Sequence, residues 1–314
     1  MKEIGGYFEL ELAKKQAHHS EAIQLNSGRN CFQYILRAQG TQKVYVPNYI
    51  CDSIIEPLES LNVSYEFYNV DKTFEIAQEL NLNRNEKLFY VNYFALKSDY
   101  IQDLAERYGD NLIVDNTQAF FEMPVIDVDT IYSPRKFFGV GDGGYLYTNK
   151  YLEEDLDVDI SHSNTSQLLG RIDISAAIFY ANYQEAEDSL TSRPIRKMST
   201  LTSSILASID YDNSMLLRQR NFFYLHSELK HINRIENALP VSAPFVYPLL
   251  TDNEGLRDRL ISNKIYVAKY WNEVLDRTQV SDVEKDLVNK MIPLPIDQRY
   301  TIADMKRIVG VIKA

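Results

Sequence analysis

Short apolar runs alternate with helical spacing through the first two thirds of this chain. The runs at residues 43–46, 65–68, 88–92 and 112–114 predict strands, and the last of them, Leu112-Ile113-Val114, reads as buried. Between the runs, Cys31, Tyr34, Ile35 and Ala38 fall on one face of a helix that Ser27 can cap and Gly40 can end. Further helices are predicted over residues 53–61 and 98–108, the second closed by Gly109. Strand and helix taking turns predict an α/β fold, a mainly parallel sheet with helices on both faces.

Beyond about Asp210 the rhythm changes. Apolar residues recur at three and four over residues 215–232, the pattern of a long amphipathic helix. A strand over residues 243–250, a helix over 255–262 and a closing helix over 301–312 follow, the last with Thr301 and Asp304 as a start signal. The chain therefore divides into a large domain, residues 1–210, and a smaller α+β C-terminal domain, residues 211–314. At 314 residues, 45% of them hydrophobic, it is long enough to bury a core in each.

Charge narrows the partners. A formal net charge of −11 argues against a nucleic-acid or anionic-membrane partner, so an anionic substrate needs a local basic pocket. Cys31 and Cys51 are the only cysteines, too few for a disulfide scaffold. There is no apolar run of membrane-spanning length and no charged-then-apolar leader, and a cytoplasmic location is expected. The 22 tyrosines are scattered and read as half-buried rings.

The candidate chemistry lies between Val114 and Thr148. Asp115 ends a buried strand, where open α/β sheets bind ligands. Gln118 follows three residues on, then Ser133, Lys136 three residues after it, and the glycines 141, 143 and 144. This set meets the demands of pyridoxal phosphate: an amine for the aldehyde, a carboxylate for the ring nitrogen and donors for the phosphate. Upstream, Asn26-Ser27-Gly28-Arg29 opens the first helix, and backbone N–H groups there can hold an anion, though an ordinary helix cap has the same look. A lone lysine is usually a solvated surface charge. Ser133 and Lys136 also match the acylating motif of penicillin-binding proteins, but the accompanying Ser-Asp-Asn and Lys-Thr-Gly motifs are missing. No metal ligand set is assigned.

Taken in order, these pieces resemble the DegT/DnrJ/StrS aminotransferases, fold-type I pyridoxal-phosphate enzymes that mostly aminate keto sugars carried on nucleotides. The resemblance runs over nearly the whole chain: Gly5-Gly6-Tyr7-Phe8, Ser27-Gly28-Arg29-Asn30, Pro47-Asn48-Tyr49, residues 115–118, residues 133–144 and Leu294-Pro295. It implies a seven-stranded-type large domain that binds the cofactor. By the resemblance Lys136 holds the aldehyde, Asp115 faces the ring nitrogen and Gln118 lies near the phenolic oxygen. The backbone at Gly28, Arg29 and Asn30 and the Ser133 hydroxyl would take the phosphate. Cys51 stands where many members place an aromatic side chain over the ring, Thr117 where they often place alanine beneath it, and Asn92 and Ala95 where histidine and glycine are common.

The resemblance also implies ping-pong transamination, with glutamate as amino donor, a nucleotide-linked keto sugar for surface polysaccharide as acceptor, and a homodimer whose sites form between subunits. Two alternatives stay open: another pyridoxal-phosphate reaction such as elimination on the same scaffold, or a non-catalytic, regulatory cofactor-binding protein. Lys136 separates the chain from sugar-dehydrating relatives, which carry histidine there.

Overall fold

The Ser27 hydroxyl accepts the Asn30 backbone N–H at 3.0 Å and starts helix α1, Gly28–Gln39; Gly40 ends it in the left-handed conformation at φ 58°. The buried face of α1, which includes Cys31, Phe32, Ile35 and Leu36, packs on the sheet. The computed structural model of the protein describes residues 4–235, 239–240 and 242–314.

Seven strands form the main sheet: β1 (Ile23–Leu25), β2 (Lys43–Pro47), β3 (Ser64–Tyr68), β4 (Glu86–Val91), β5 (Leu112–Asp115), β6 (Asp129–Tyr132) and β7 (Gly144–Tyr147). Their order is β1-β7-β6-β5-β4-β2-β3. Strands β2 to β6 run parallel, whereas β7 is antiparallel to both its neighbours. Two reversals make β1 run the same way as β6. The mainly parallel α/β architecture predicted from the alternation is thus present, with β7 as the exception.

Helices α2 (Ile55–Ser60) and α3 (Ser98–Tyr108) fill two of the predicted crossovers. The expected helix over residues 53–61 is split into a tight turn, Asp52–Ile54, and α2. Pro57 explains the split, because proline fits the first turn of a helix and not its interior. Four further helices follow: α4 (Ser166–Asp173), α5 (Tyr180–Asp188), α6 (Thr200–Leu206) and α7 (Tyr211–Leu229). Helix α7 starts before residue 215 because the Asp210 side chain caps it by accepting the Asn213 N–H.

Beyond α7, β8 (Tyr247–Leu250) pairs antiparallel with β9 (Met291–Leu294), flanked by α8 (Leu256–Ser262), α9 (Asp282–Lys290) and α10 (Ile302–Lys313). The strand is shorter than residues 243–250, since the Pro244 and Phe245 carbonyls are taken by a side chain, Arg218, instead of a neighbouring strand. Thr301 and Asp304 form a reciprocal cap on α10. Phe222, Leu225 and Leu229 of α7 bury themselves against Leu249, Leu294, Met305 and Ile308, a core separate from the one under the main sheet.

A buried histidine helps tie down the segment before β1. His19 is fully buried, its Nε2–H donating to the Phe120 carbonyl at 2.7 Å and its Nδ1 accepting the Tyr147 hydroxyl at 3.1 Å. Burial pushes its pKa down to about 3. A histidine with a depressed folded pKa stabilises the fold above its ordinary value of 6.5 and loses that contribution as pH falls toward about 3. Thermal unfolding across this window should therefore show stability falling by up to about 1.4 kcal/mol per pH unit, and His19→Gln should flatten that slope.

Candidate active site

Parallel strands bring the candidate residues to one edge. Gly28 follows the end of β1, Cys51 the end of β2, Asn92 the end of β4, Asp115 ends β5 and Ser133 follows β6. The register sets Val91 opposite Asp115 and Asp115 opposite Ile131. This carboxyl-end edge is where the loops of an open α/β sheet make a crevice.

At its centre Asp115 is 4% exposed, and its Oδ1 accepts the Thr117 backbone N–H at 2.8 Å. Burial pushes its carboxyl above the ordinary range, while the Lys136 charge and the neighbouring Thr117 hydroxyl and amide pull the other way. Lys136 sits on the tight turn Pro134–Lys136 just past β6, with its amine donating to Thr117 Oγ1 at 2.8 Å. Amine and carboxylate, 21 residues apart in the chain, thus meet at one threonine.

The anion cradle lies against the same threonine. A Cβ on Gly28 would come within 3.4 Å of Thr117 Cγ2 and 3.6 Å of Ser133 Cβ, so the start of α1 faces both. The Ser133 hydroxyl makes no capping bond to its own turn. Gly144 lets this packing close: a Cβ there would meet the Ser27 carbonyl at 2.5 Å and Cys31 Sγ at 2.7 Å. Asn30 plays a different part from the one expected, because its N–H is already given to Ser27 and its side chain donates to Asn26 Oδ1 and the Pro194 carbonyl. The Arg29 guanidinium is paired with Glu56 at 2.6 Å and with the Leu190 carbonyl.

Gln118 is buried, and its Oε1 accepts the Phe94 N–H at 2.9 Å. That bond steadies a turn in which Phe94 and Ala95 both have positive φ, 57° and 62°. Such strain in residues with a Cβ is held only where the surroundings over-determine it. Ala95→Gly should relieve it and raise the unfolding free energy by about 1 kcal/mol in denaturant titration. Cys51, half-buried, lies 2.8 Å from Ser53 Oγ; among the described residues no hydrogen bond joins it to Asp115 or Lys136.

Arg218 lies outside every motif read from the sequence. It is 1% exposed, and its guanidinium donates to the carbonyls of Phe137, Pro244 and Phe245 and to Gln298 Oε1. Burial brings its pKa down to about 10. It grips the residue directly after Lys136 and ties that turn to the C-terminal part of the chain. A signal existed, since 218 falls on the same helical stripe as the buried positions 214, 221, 222 and 225 of α7. The basic residues Arg193 and Arg196 instead share the carboxylate of Asp159, and Lys197 pairs with Asp155.

No protein-family model matches the sequence, and no curated protein matches it. Solved structures do. A DegT DnrJ EryC1 StrS aminotransferase from Brucella abortus superposes with a TM-score of 0.61 at 19% identity, over 93% of this chain and 85% of that one. The fold is that of the DegT/DnrJ/EryC1/StrS aminotransferases. DesV of S. venezuelae, solved in complex with a ketimine intermediate, matches with a TM-score of 0.64 at 15% identity, over 93% and 84% of the two chains. NtdA from Bacillus subtilis, solved with bound cofactor PMP, gives 0.64 at 15% over 93% and 73%. This aminotransferase fold carries a mostly parallel seven-stranded sheet, and here its carboxyl edge holds Asp115, Thr117, Ser133 and Lys136. Among the described residues no helix is long and apolar enough to cross a membrane.

Proposed function

We propose that the protein is a pyridoxal-phosphate-dependent aminotransferase that moves an amino group from glutamate to a nucleotide-linked keto sugar in the making of a surface polysaccharide or related glycan. The observation that carries this reading is the meeting of the Lys136 amine, the buried Asp115 carboxyl and the Gly28 helix start around Thr117.

The residues fit the cofactor. Lys136 would hold its aldehyde and Asp115 its ring nitrogen, while the Gly28 and Arg29 amides and the Ser133 hydroxyl would take its phosphate. Gln118 and Cys51 would line the ring. When bound, the cofactor supplies an electron sink for the carbon that loses a proton. Asp115 would keep the ring nitrogen protonated, and the Lys136 amine would be the base that takes up and returns the substrate's proton. The division into a cofactor-binding part, residues 1–210, and a smaller part, residues 211–314, is supported by the separate core that α7, α8, α10, β8 and β9 form.

Support for a sugar acceptor comes from the structural neighbours, which include the sugar aminotransferase CalS13 from Micromonospora echinospora and Helicobacter pylori PseC, an aminotransferase involved in the biosynthesis of pseudoaminic acid. A homodimer is supported by exposed Leu169, Ile172, Ile174, Ile178 and Tyr180 on and between α4 and α5, apolar surface that a second copy would cover. The two unbridged cysteines suit a cytoplasmic setting. The test is isotopic: with nitrogen-15 glutamate and a panel of nucleotide keto sugars, label should appear in an amino sugar. Cofactor bound without transfer to any acceptor would overturn the aminotransferase reading in favour of another reaction on this scaffold.

A further inference from the structure

Thr117 touches the Lys136 amine, the Asp115 carboxyl and the start of α1. Its hydroxyl oxygen accepts from the Lys136 amine at 2.8 Å, its backbone N–H donates to Asp115 Oδ1 at 2.8 Å, and its methyl lies where Gly28 and Ser133 approach. The hydroxyl also helps hold the pKa of the buried Asp115 carboxyl down. A hydroxyl has one proton to give and two lone pairs to take others, so it can accept from the ammonium and donate to the carboxylate together. Lys136 needs such a hold, because the residue as a whole is exposed and its four-carbon stem is otherwise free to sample solvent.

We propose that Thr117 is the positioning residue for the Lys136 amine, giving it a fixed resting place between Asp115 and the start of α1 whenever it is not covalently engaged. The inference deepens the proposed function and rests on it for its catalytic meaning, but the hydroxyl's hold on the amine is independent of any cofactor. A structural role for Thr117 as a turn residue needs only the backbone N–H and a branched side chain, and valine keeps both.

Thr117→Val and Thr117→Ser separate the two roles in the cofactor-free protein. Acetylation of Lys136 at fixed pH, followed by peptide mass mapping, reads the freedom of the amine, and carbon-13 NMR reads Asp115, whose charged and thiol neighbours are Lys136 and Cys31. Thr117→Val should melt as the parent does, label Lys136 several-fold faster and raise the Asp115 midpoint, with Thr117→Ser restoring both. In the loaded enzyme the valine variant should lose about tenfold in kcat with KM unchanged, a loss confined to proton transfer. Parental labelling and an unmoved Asp115 midpoint in a folded valine variant would overturn the proposal. If the parent binds no cofactor yet the labelling and midpoint shifts occur, the positioning role stands and the aminotransferase reading falls.

Discussion

Lys136→Ala is expected to fold as the parent does and to lose both the covalent hold on pyridoxal phosphate and the proton carrier. Lys136 is exposed, but its charge offsets the burial of the Asp115 carboxyl, so its removal should lower stability at neutral pH modestly while the fold stays intact. Activity should fall by about 10^4-fold, the upper range of what a positioned acid–base group contributes. Circular dichroism, thermal melting and steady-state amino transfer measured together check this. A variant that kept more than a small fraction of parental turnover would remove Lys136 from the chemistry. A variant that failed to melt cooperatively would instead say that the turn after β6 depends on the amine.

Asp115→Asn should have opposite effects on stability and on function. The carboxyl is buried and its folded pKa is raised above its ordinary value of 3.8. A raised carboxyl adds stability only below that ordinary value, and the contribution disappears as pH rises through the folded pKa. At neutral pH the buried charge therefore works against folding, and asparagine, which can still accept the Thr117 N–H, should raise the melting temperature of the cofactor-free protein. The gain should shrink as the pH is lowered into the carboxylate range. On the proposed function, turnover should drop on the order of 10^2–10^3-fold, because the charge that would face the ring nitrogen is gone. Lower stability at neutral pH would show that Asp115 acts mainly as a structural acceptor.

Local signals were the legible part. Ser27 and Gly40 act within three or four residues of themselves, and they mark α1 within a residue. Asp115 could be placed at a strand end from the run before it, and strand ends in a parallel sheet share an edge. The hydrogen bond from Lys136 to Thr117 was out of reach, because it needs the register of β5 against β6 and the turn beyond. The same holds for His19, which is fixed by groups more than 100 residues away. Ala95 shows a different limit: a positive φ at a residue with a Cβ runs against its own preference and is imposed by the buried Gln118. Asn30 shows a third, since the α1 cap and the anion site compete for the same N–H groups, and Ser27 takes one.

The most direct test of the account is to mix the purified protein with pyridoxal phosphate, reduce with borohydride and map the modified peptide by mass spectrometry. The account predicts one stoichiometric adduct, on Lys136. An adduct spread over surface lysines, or none in folded protein with excess cofactor, would contradict it.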